Sequence, residues 1–404
     1  MSRSGPVILF GAFDRHNLGD LLFAHVAATM LAPREVVFAG LAARDLTAFG
    51  GHRVRAIAAL AREWGEAPAD VVHAGGEILG CDAWQAAVML LRPEEVATVL
   101  GLYEHDPVAR LAWARERLGV AGRVAYAVPK ALFGRPGRFV YDAVGGTDLA
   151  QRDPGFRAEA FARLREADFV GVRDDATGAA VAAAGIAARL MPDPAVMVAE
   201  LFGARIRQRG LCGEAAAVSA AFPAGYLAVQ FAAEFGDDAT LAAIAGQLDR
   251  VANETGLAIV FFRAGAAPWH DDLGAFRRAG APMRARWRVF ESLDVWDICA
   301  LIAGSRGYCG SSLHGRILAL DFGLPRLSLA AAGAAAGKLH AFVRTWDAAH
   351  PAGVVTLGRI ADALLPALAA GPDAGRRDAL RLAGLYREAF ADLRAALRED
   401  SRVG

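Results

Sequence analysis

Apolar and polar positions alternate in blocks along this chain. Short apolar runs at 7–10, 36–39, 70–73, 124–128 and 169–172 read as strands. After each comes a turn holding Gly, Asp or Asn, then helix-forming sequence; in 20–31, Leu21, Leu22, His25, Val26 and Thr29 recur at near-helical spacing. The second half repeats the scheme, with strands expected at 226–231, 257–262, 287–290, 308–309 and 326–329. Helical patterns lie between them at 238–254, 271–278, 294–303 and 314–322, and Asp294 is placed to cap the third of these. Strand and helix alternating in this way predict an α/β protein with parallel sheets. A polar, then alanine-rich stretch around 203–223, closing on Pro223-Ala224-Gly225, separates the halves. The expected domains are therefore 1–205 and 220–404. The last segment, 376–399, puts Leu382, Leu385, Tyr386, Phe390, Leu393 and Leu397 on one helical face and mixed charges on the other. Such a helix is expected to dock back onto the protein rather than lie on a membrane.

Composition sharpens this picture in a few places. A chain of 404 residues with 55% hydrophobic content is too long for one ordinary core, which supports two domains. The formal net charge is zero, which weighs against a sequence-independent nucleic-acid binder. The four cysteines form no C-x-x-C pair and read as buried free thiols of a reducing compartment. The N-terminus lacks the long apolar segment of a signal peptide, and no apolar stretch is long enough to span a membrane; the alanine-rich run 330–336 is too short. A cytoplasmic location without a transmembrane segment is expected.

In doubly wound sheets, ligands bind beyond the carboxyl ends of the strands. Two such domains in tandem are expected to line a cleft with those ends. Five post-strand segments carry candidate chemistry. Asp14, His16, Asn17, Gly19 and Asp20 follow the first strand without the spacing of a dinucleotide fingerprint. Their plainest reading is a turn with a helix cap. Gly75-Gly76-Glu77 follows another strand, where paired glycines allow close backbone approach. Arg173-Asp174-Asp175 places an arginine at a strand end, suited either to an anion or to a structural Arg–Asp pair. Asp193 is fixed between Pro192 and Pro194. The fifth segment, Gly310-Ser311-Ser312-Leu313-His314-Gly315-Arg316, runs from a strand into a helix start, which suits an anion beside a titratable histidine. His270 is a further ligand candidate, with Asp271 or Asp272 as a helix cap, and Trp84 and Trp269 are equally explained by sugar stacking or by packing. No H-E-x-x-H, P-loop or clustered ligand spacing occurs, so no metal is indicated.

In this order the segments resemble the polysaccharide pyruvyl transferase family. The matching pieces are Asn17-Leu18-Gly19-Asp20, Gly75-Gly76-Glu77, Arg173-Asp174, Asp193-Pro194, and Leu313-His314-Gly315 followed by Gly323-Leu324-Pro325 and Lys338. Residues from 346 onward carry nothing of the pattern. The resemblance implies two Rossmann-like doubly wound domains in a GT-B-like arrangement. It also implies transfer of a pyruvyl group from phosphoenolpyruvate to a sugar or lipid-linked glycan, giving a ketal, with no bound cofactor. Many members carry arginine directly before the Leu-His-Gly element; here the position is Ser312, and Arg316, one turn on, is the expected substitute cation.

On this reading Arg173, Ser311, Ser312, Gly315, Arg316 and Lys338 would bind the donor, which needs cations and N–H groups for a carboxylate and a phosphate. His314 would act as general acid or stabilise the departing phosphate, and Asp20 or Glu77 would activate the acceptor hydroxyl. Asp14, His16, Asn17 and His270 would contact the acceptor. The alternatives are a nucleotide-sugar glycosyltransferase of the same architecture, a non-catalytic glycan-binding relative, and a related transferase of small-molecule or lipid-linked glycan synthesis.

Overall fold

The apolar runs pair as parallel strands in a computed structural model of the chain, which describes residues 5–331, 337–348, 350, 353–370 and 373–398. Of the alanine-rich run, 332–336 lie outside the described residues. The first sheet contains β1 (Val7–Phe10), β2 (Val36–Gly40), β3 (Arg44–Asp45), β4 (Arg53–Ala56), β5 (Ala69–Ala74), β6 (Pro136–Val144), β7 (Phe169–Val172) and β8 (Arg189–Leu190). Their order is β3-β4-β2-β1-β5-β6-β7-β8, parallel except for the short β3–β4 pair. The second sheet contains β9 (Tyr226–Gln230), β10 (Ala258–Phe262), β11 (Trp287–Phe290), β12 (Gly307–Gly310), β13 (Arg326–Leu329) and β14 (Val354–Val355), in the order β11-β10-β9-β12-β13-β14 and all parallel. Strands such as Val7-Ile8-Leu9-Phe10 are buried on both faces, as a parallel sheet covered by helices requires.

The chain divides into a first unit of residues 1–194 with 384–404, and a second of 195–383. Each has its own apolar core: Phe10, Val71, Tyr126 and Phe139 belong to one, Leu227, Phe231, Phe261 and Phe276 to the other. The boundary expected between 205 and 220 thus lies at Pro194–Ala195, and the last residues group with the first unit. Packing explains the early boundary. Ala199 N–H donates to Asp321 at 2.6 Å, Phe202 packs edge-on to Trp296, and Arg209 pairs with Asp297 at 2.6 Å. These contacts commit the helix Val198–Gly210 to the second unit. The final helix, Asp373–Ala396, has its portion from Gly384 in the first unit, where the buried Tyr386 hydroxyl donates to Asp142 at 2.9 Å.

Two local expectations change. The run Val124–Val128 is buried but forms no strand; the Val128 N–H is held by His73 Nε2 at 3.3 Å, and Val124 makes an isolated bridge to Asp82. The strand beside β5 is instead β6, whose sequence of Pro, Gly, Arg, Tyr and Asp hides its strand character. The cysteines also differ from one another: Cys299 and Cys309 are buried, Cys81 is partly buried, and Cys212 is exposed.

Candidate functional site

In each sheet the connections leave in opposite directions from one pair of neighbouring strands, and the crevice at that switch point is where such folds bind ligands. The pair is β1 and β5 in the first unit, β9 and β12 in the second.

At the first switch point, Asn17 is the cap of the helix Leu18–Leu31, its Oδ1 accepting from Gly19 N at 3.1 Å and Asp20 N at 3.3 Å. Asp20, expected as a possible cap, lies in the first turn and meets the Arg15 guanidinium at 3.4 Å. Arg15 also donates to the Tyr126 hydroxyl at 2.8 Å. Asp14 is not available to an acceptor: its Oδ2 accepts from Leu41 N at 2.6 Å and Ala42 N at 2.9 Å, tying the β1 loop to the β2 loop. Burial raises its pKa, against the lowering effect of those N–H donors and Arg15. His16 is buried edge-on to Phe49. Gly75 and Gly76 have φ of +62° and +80°, and a Cβ at Gly75 would stand 2.4 Å from the Phe23 ring, so glycine is required there. The backbone at Gly76 approaches Asp20 closely, with Oδ1 3.2 Å from where a Cβ would be.

Glu77 and Arg173 come together, but on each other. One Glu77 carboxylate oxygen, Oε1, accepts from Thr147 N at 2.5 Å and from Thr147 Oγ1 at 2.9 Å; the other pairs with Arg173 Nη2. Arg173 Nη1 meets Asp193 at 3.1 Å, and both side chains are buried. The arginine expected to hold an anion is therefore neutralised inside the first unit by two carboxylates. Glu77, expected as a base, is already an acceptor on both oxygens. Asp174 caps the helix Asp175–Ala183 through Thr177 N at 2.8 Å.

The second switch point has a different chemistry. Ser312 caps the helix Leu313–Asp321, its Oγ accepting from Gly315 N at 3.2 Å. Ser311 N donates to Gln230 O at 3.2 Å, and its Oγ accepts from Ala232 N at 2.9 Å. Ser312 N donates to Gln230 Oε1 at 2.7 Å. The amides of Ser311, Ser312 and Gly315, expected to face an anion, are thus engaged within the protein. Leu313 and His314 head the helix, where the macrodipole favours negative charge. His314 is half-buried at this position. Gly315 has a steric reason: a Cβ there would lie 2.6 Å from the Tyr308 ring.

Gln230 escaped sequence reasoning, although a polar residue closing the apolar run Tyr-Leu-Ala-Val was a signal. Its Nε2 donates to Asp271 Oδ1 at 2.7 Å, while Asp271 Oδ2 accepts from Ala264 N at 2.6 Å and Gly265 N at 3.3 Å. Asp272, not Asp271, caps the helix Leu273–Gly280. The loop this makes is joined to the end of β9 by Ala233 N donating to His270 O at 2.9 Å; the His270 ring packs against Gly265, its Nδ1 3.0 Å from Pro268 O. The same loop holds Trp269 at φ +66° and 49% exposed, an unusual backbone state for a bulky residue. Trp84, by contrast, packs against Trp113.

Arg316 does not replace the missing arginine. It is fully buried, donating to Asp347 Oδ2 at 2.9 Å and to Gly353 O at 3.1 Å, and Arg326 shares the same Asp347. Burial lowers its pKa, opposed by the Asp347 charge. Lys338 is exposed at the first position of the helix Lys338–Trp346.

Residues 151–331 match the family model described as polysaccharide pyruvyl transferase, which bears out the resemblance over that stretch. The matched residues include Arg173-Asp174, Asp193-Pro194 and the whole His314 turn. No curated protein matches the chain. Among solved structures it is similar to an α,α-trehalose-phosphate synthase (UDP-forming) from Burkholderia xenovorans in complex with glucose-6-phosphate, at 11% identity and a TM-score of 0.54, covering 98% of this chain and 100% of that one. It is also similar to UDP-N-acetylglucosamine 2-epimerase from Rickettsia bellii, at 12% identity and a TM-score of 0.53, covering 97% and 96%. The UDP-GlcNAc 2-epimerase from Neisseria meningitidis bound to UDP-GlcNAc gives 11% identity and a TM-score of 0.52, covering 98% and 100%. These likenesses show the fold, two Rossmann-like α/β units of GT-B type. No helix among the described residues is long and apolar enough to cross a membrane.

Proposed function

We propose that the protein transfers the pyruvyl group of phosphoenolpyruvate onto two hydroxyls of a sugar in a polysaccharide or glycan precursor. The observation that carries this reading is the family match over 151–331, because the His314 turn falls inside it and forms the crevice of the second switch point.

In this reaction C3 of the donor gains a proton and becomes a methyl group. One sugar hydroxyl bonds to C2, and a second displaces phosphate from C2. Of the two hydroxyl protons, one balances the new methyl hydrogen and one leaves with phosphate. His314, at the start of the helix Leu313–Asp321, is the group we assign to proton transfer, with the positive end of that helix beside the donor's negative charge. Lys338, exposed at the first position of its helix, is the cation we assign to the donor. Trp269, held half-exposed on a pinned loop, offers its ring face to a sugar.

The test is a donor screen. Phosphoenolpyruvate at 100 times its dissociation constant should stabilise the protein by about 2.7 kcal/mol, seen as a raised Tm, and nucleotide sugars should not. Phosphate release on adding glycan should follow. Stabilisation by UDP-sugars without phosphoenolpyruvate would favour a glycosyltransferase, and glycan binding without phosphate release a non-catalytic relative.

A further inference from the structure

We infer that Gln230 and Asp271 are positioning residues for the turn that carries His314, and that they hold this turn most firmly while Asp271 is ionised. The consequence for turnover rests on the reading of His314 given above; the hydrogen-bond logic does not.

The chain of bonds has donors of fixed identity at both ends. At one end Ser312 N–H can only donate; its nearer acceptor is Gln230 Oε1 at 2.7 Å, with the Tyr308 hydroxyl oxygen at 3.2 Å. That fixes the amide, so Nε2 faces Asp271 Oδ1 as a donor, at 2.7 Å. At the other end the N–H groups of Ala264 and Gly265 reach Asp271 Oδ2 at 2.6 and 3.3 Å. Donors therefore stand on both sides of Asp271; the ionised carboxylate accepts from both with charge-assisted bonds, and protonation removes that charge and turns one oxygen into a weaker hydroxyl acceptor. A proton on Oδ1 aimed at Gln230 would oppose its Nε2, and one on Oδ2 aimed at the loop would oppose Ala264 N–H; on the remaining lone pairs it would leave the contacts without the charge that strengthens them. If Gln230 turned its amide over to accept that proton, Nε2 would meet Ser312 N–H, donor against donor. The surroundings leave little slack: a Cβ at Gly310 would stand 2.3 Å from Gln230 O, and the Tyr308 hydroxyl spans Ser312 O at 3.0 Å and Gln230 Oε1 at 3.4 Å.

The charged and titratable groups facing Asp271 are Arg263 at the end of β10 and the Tyr308 phenol on β12, with His270 and Asp272 beside it on its own loop. Burial moves the Asp271 pKa up to about 7, despite the lowering effect of the Ala264, Gln230 and Gly265 bonds and of Arg263. The network therefore changes state near neutral pH. Below that range each further unit of pH lowers the ionised share about ten-fold.

The experiment is site-resolved amide hydrogen exchange at Ser312 on the full chain, without substrate, from pH 5.5 to 8.5 and corrected for intrinsic rates. Protection should be high at pH 8.5 and fall through a midpoint near 7. Asp271→Asn should show low protection at every pH, because an amide offers one acceptor end where the site presents two sets of donors. Gln230→Ala should do the same. A wild-type profile that is flat across the range overturns the inference, and this holds even where a variant fails to fold. A parallel pH profile of phosphoenolpyruvate turnover separates the two ideas. A titrating Ser312 amide without pyruvyl transfer sinks the functional reading and leaves the positioning intact. Turnover with a flat Ser312 profile does the reverse.

Discussion

The two switch-point crevices lie at corresponding places in their sheets and are built from opposite chemistry. The first is crowded with full charges that neutralise one another: Arg15 with Asp20, and, reaching across from β5 to β7, Glu77 with Arg173 and Asp193. The second is held by an amide, three hydroxyls and one carboxylate around the start of a helix, while its arginine is turned into the core against Asp347. A buried arginine with two carboxylate partners has no charge left for a ligand. An uncharged turn at a helix N-terminus keeps its electrostatic capacity. Motif residues of the same apparent kind, Arg173 and Arg316 beside Glu77 and His314, thus separate into structural pins and groups at a crevice.

The sharpest break in that comparison would come from His314. If His314 carries the proposed proton transfer, His314→Gln should lower turnover by about 10²–10⁴-fold. Equal activity of the variant in a phosphate-release assay would remove it from the chemistry. Arg173→Met should act the opposite way, costing stability first: the buried Asp193 and the Glu77 carboxylate lose their cation, a loss of about 3–5 kcal/mol in urea unfolding. A stable variant with only a raised donor KM would return Arg173 to the binding site.

Tyr386→Phe probes the docking of the final helix onto the first unit. Asp142 is fully buried and its pKa is raised to about 7, by burial and the Asp193 charge, with the Tyr386 bond opposing. Its folded pKa therefore exceeds the unfolded value of about 3.9, and the folded state binds more protons between these values. Stability from this group is full below about pH 4 and falls as pH rises through 7. Losing the hydroxyl should cost about 1–3 kcal/mol, more at pH 8.5 than at pH 5, read from Tm at the two values. An equal shift at both would show that the hydroxyl does not serve the ionised carboxylate. The smallest effect on stability belongs to Trp269→Gly. Relief of the positive φ offsets the lost ring contacts, so Tm should move little while the acceptor KM rises several-fold. An unchanged KM would leave Trp269 outside the acceptor site.

The sequence alone determined the layer architecture, because alternating apolar runs and amphipathic segments have few ways to bury their faces other than a covered parallel sheet. It also located the strand-to-helix turn Ser312-Leu313-His314-Gly315 and the tight glycine turn Gly75-Gly76 that follows β5. Only the tertiary structure decided which of their side chains remain available. Arg316 follows His314 by two residues, and helical positions two apart lie on roughly opposite sides of the axis, which puts Arg316 on the core side against Asp347. Arg173 is claimed by Glu77 and Asp193, 96 and 20 positions away in the chain. Gln230 reaches Ser312 only after β9 and β12 pair, and Asp271 reaches the same turn only through Gln230. Local pattern fixes where a helix starts, because that depends on neighbours in sequence. The partners of a buried charge come from distant segments, so its availability is settled only when the sheet assembles.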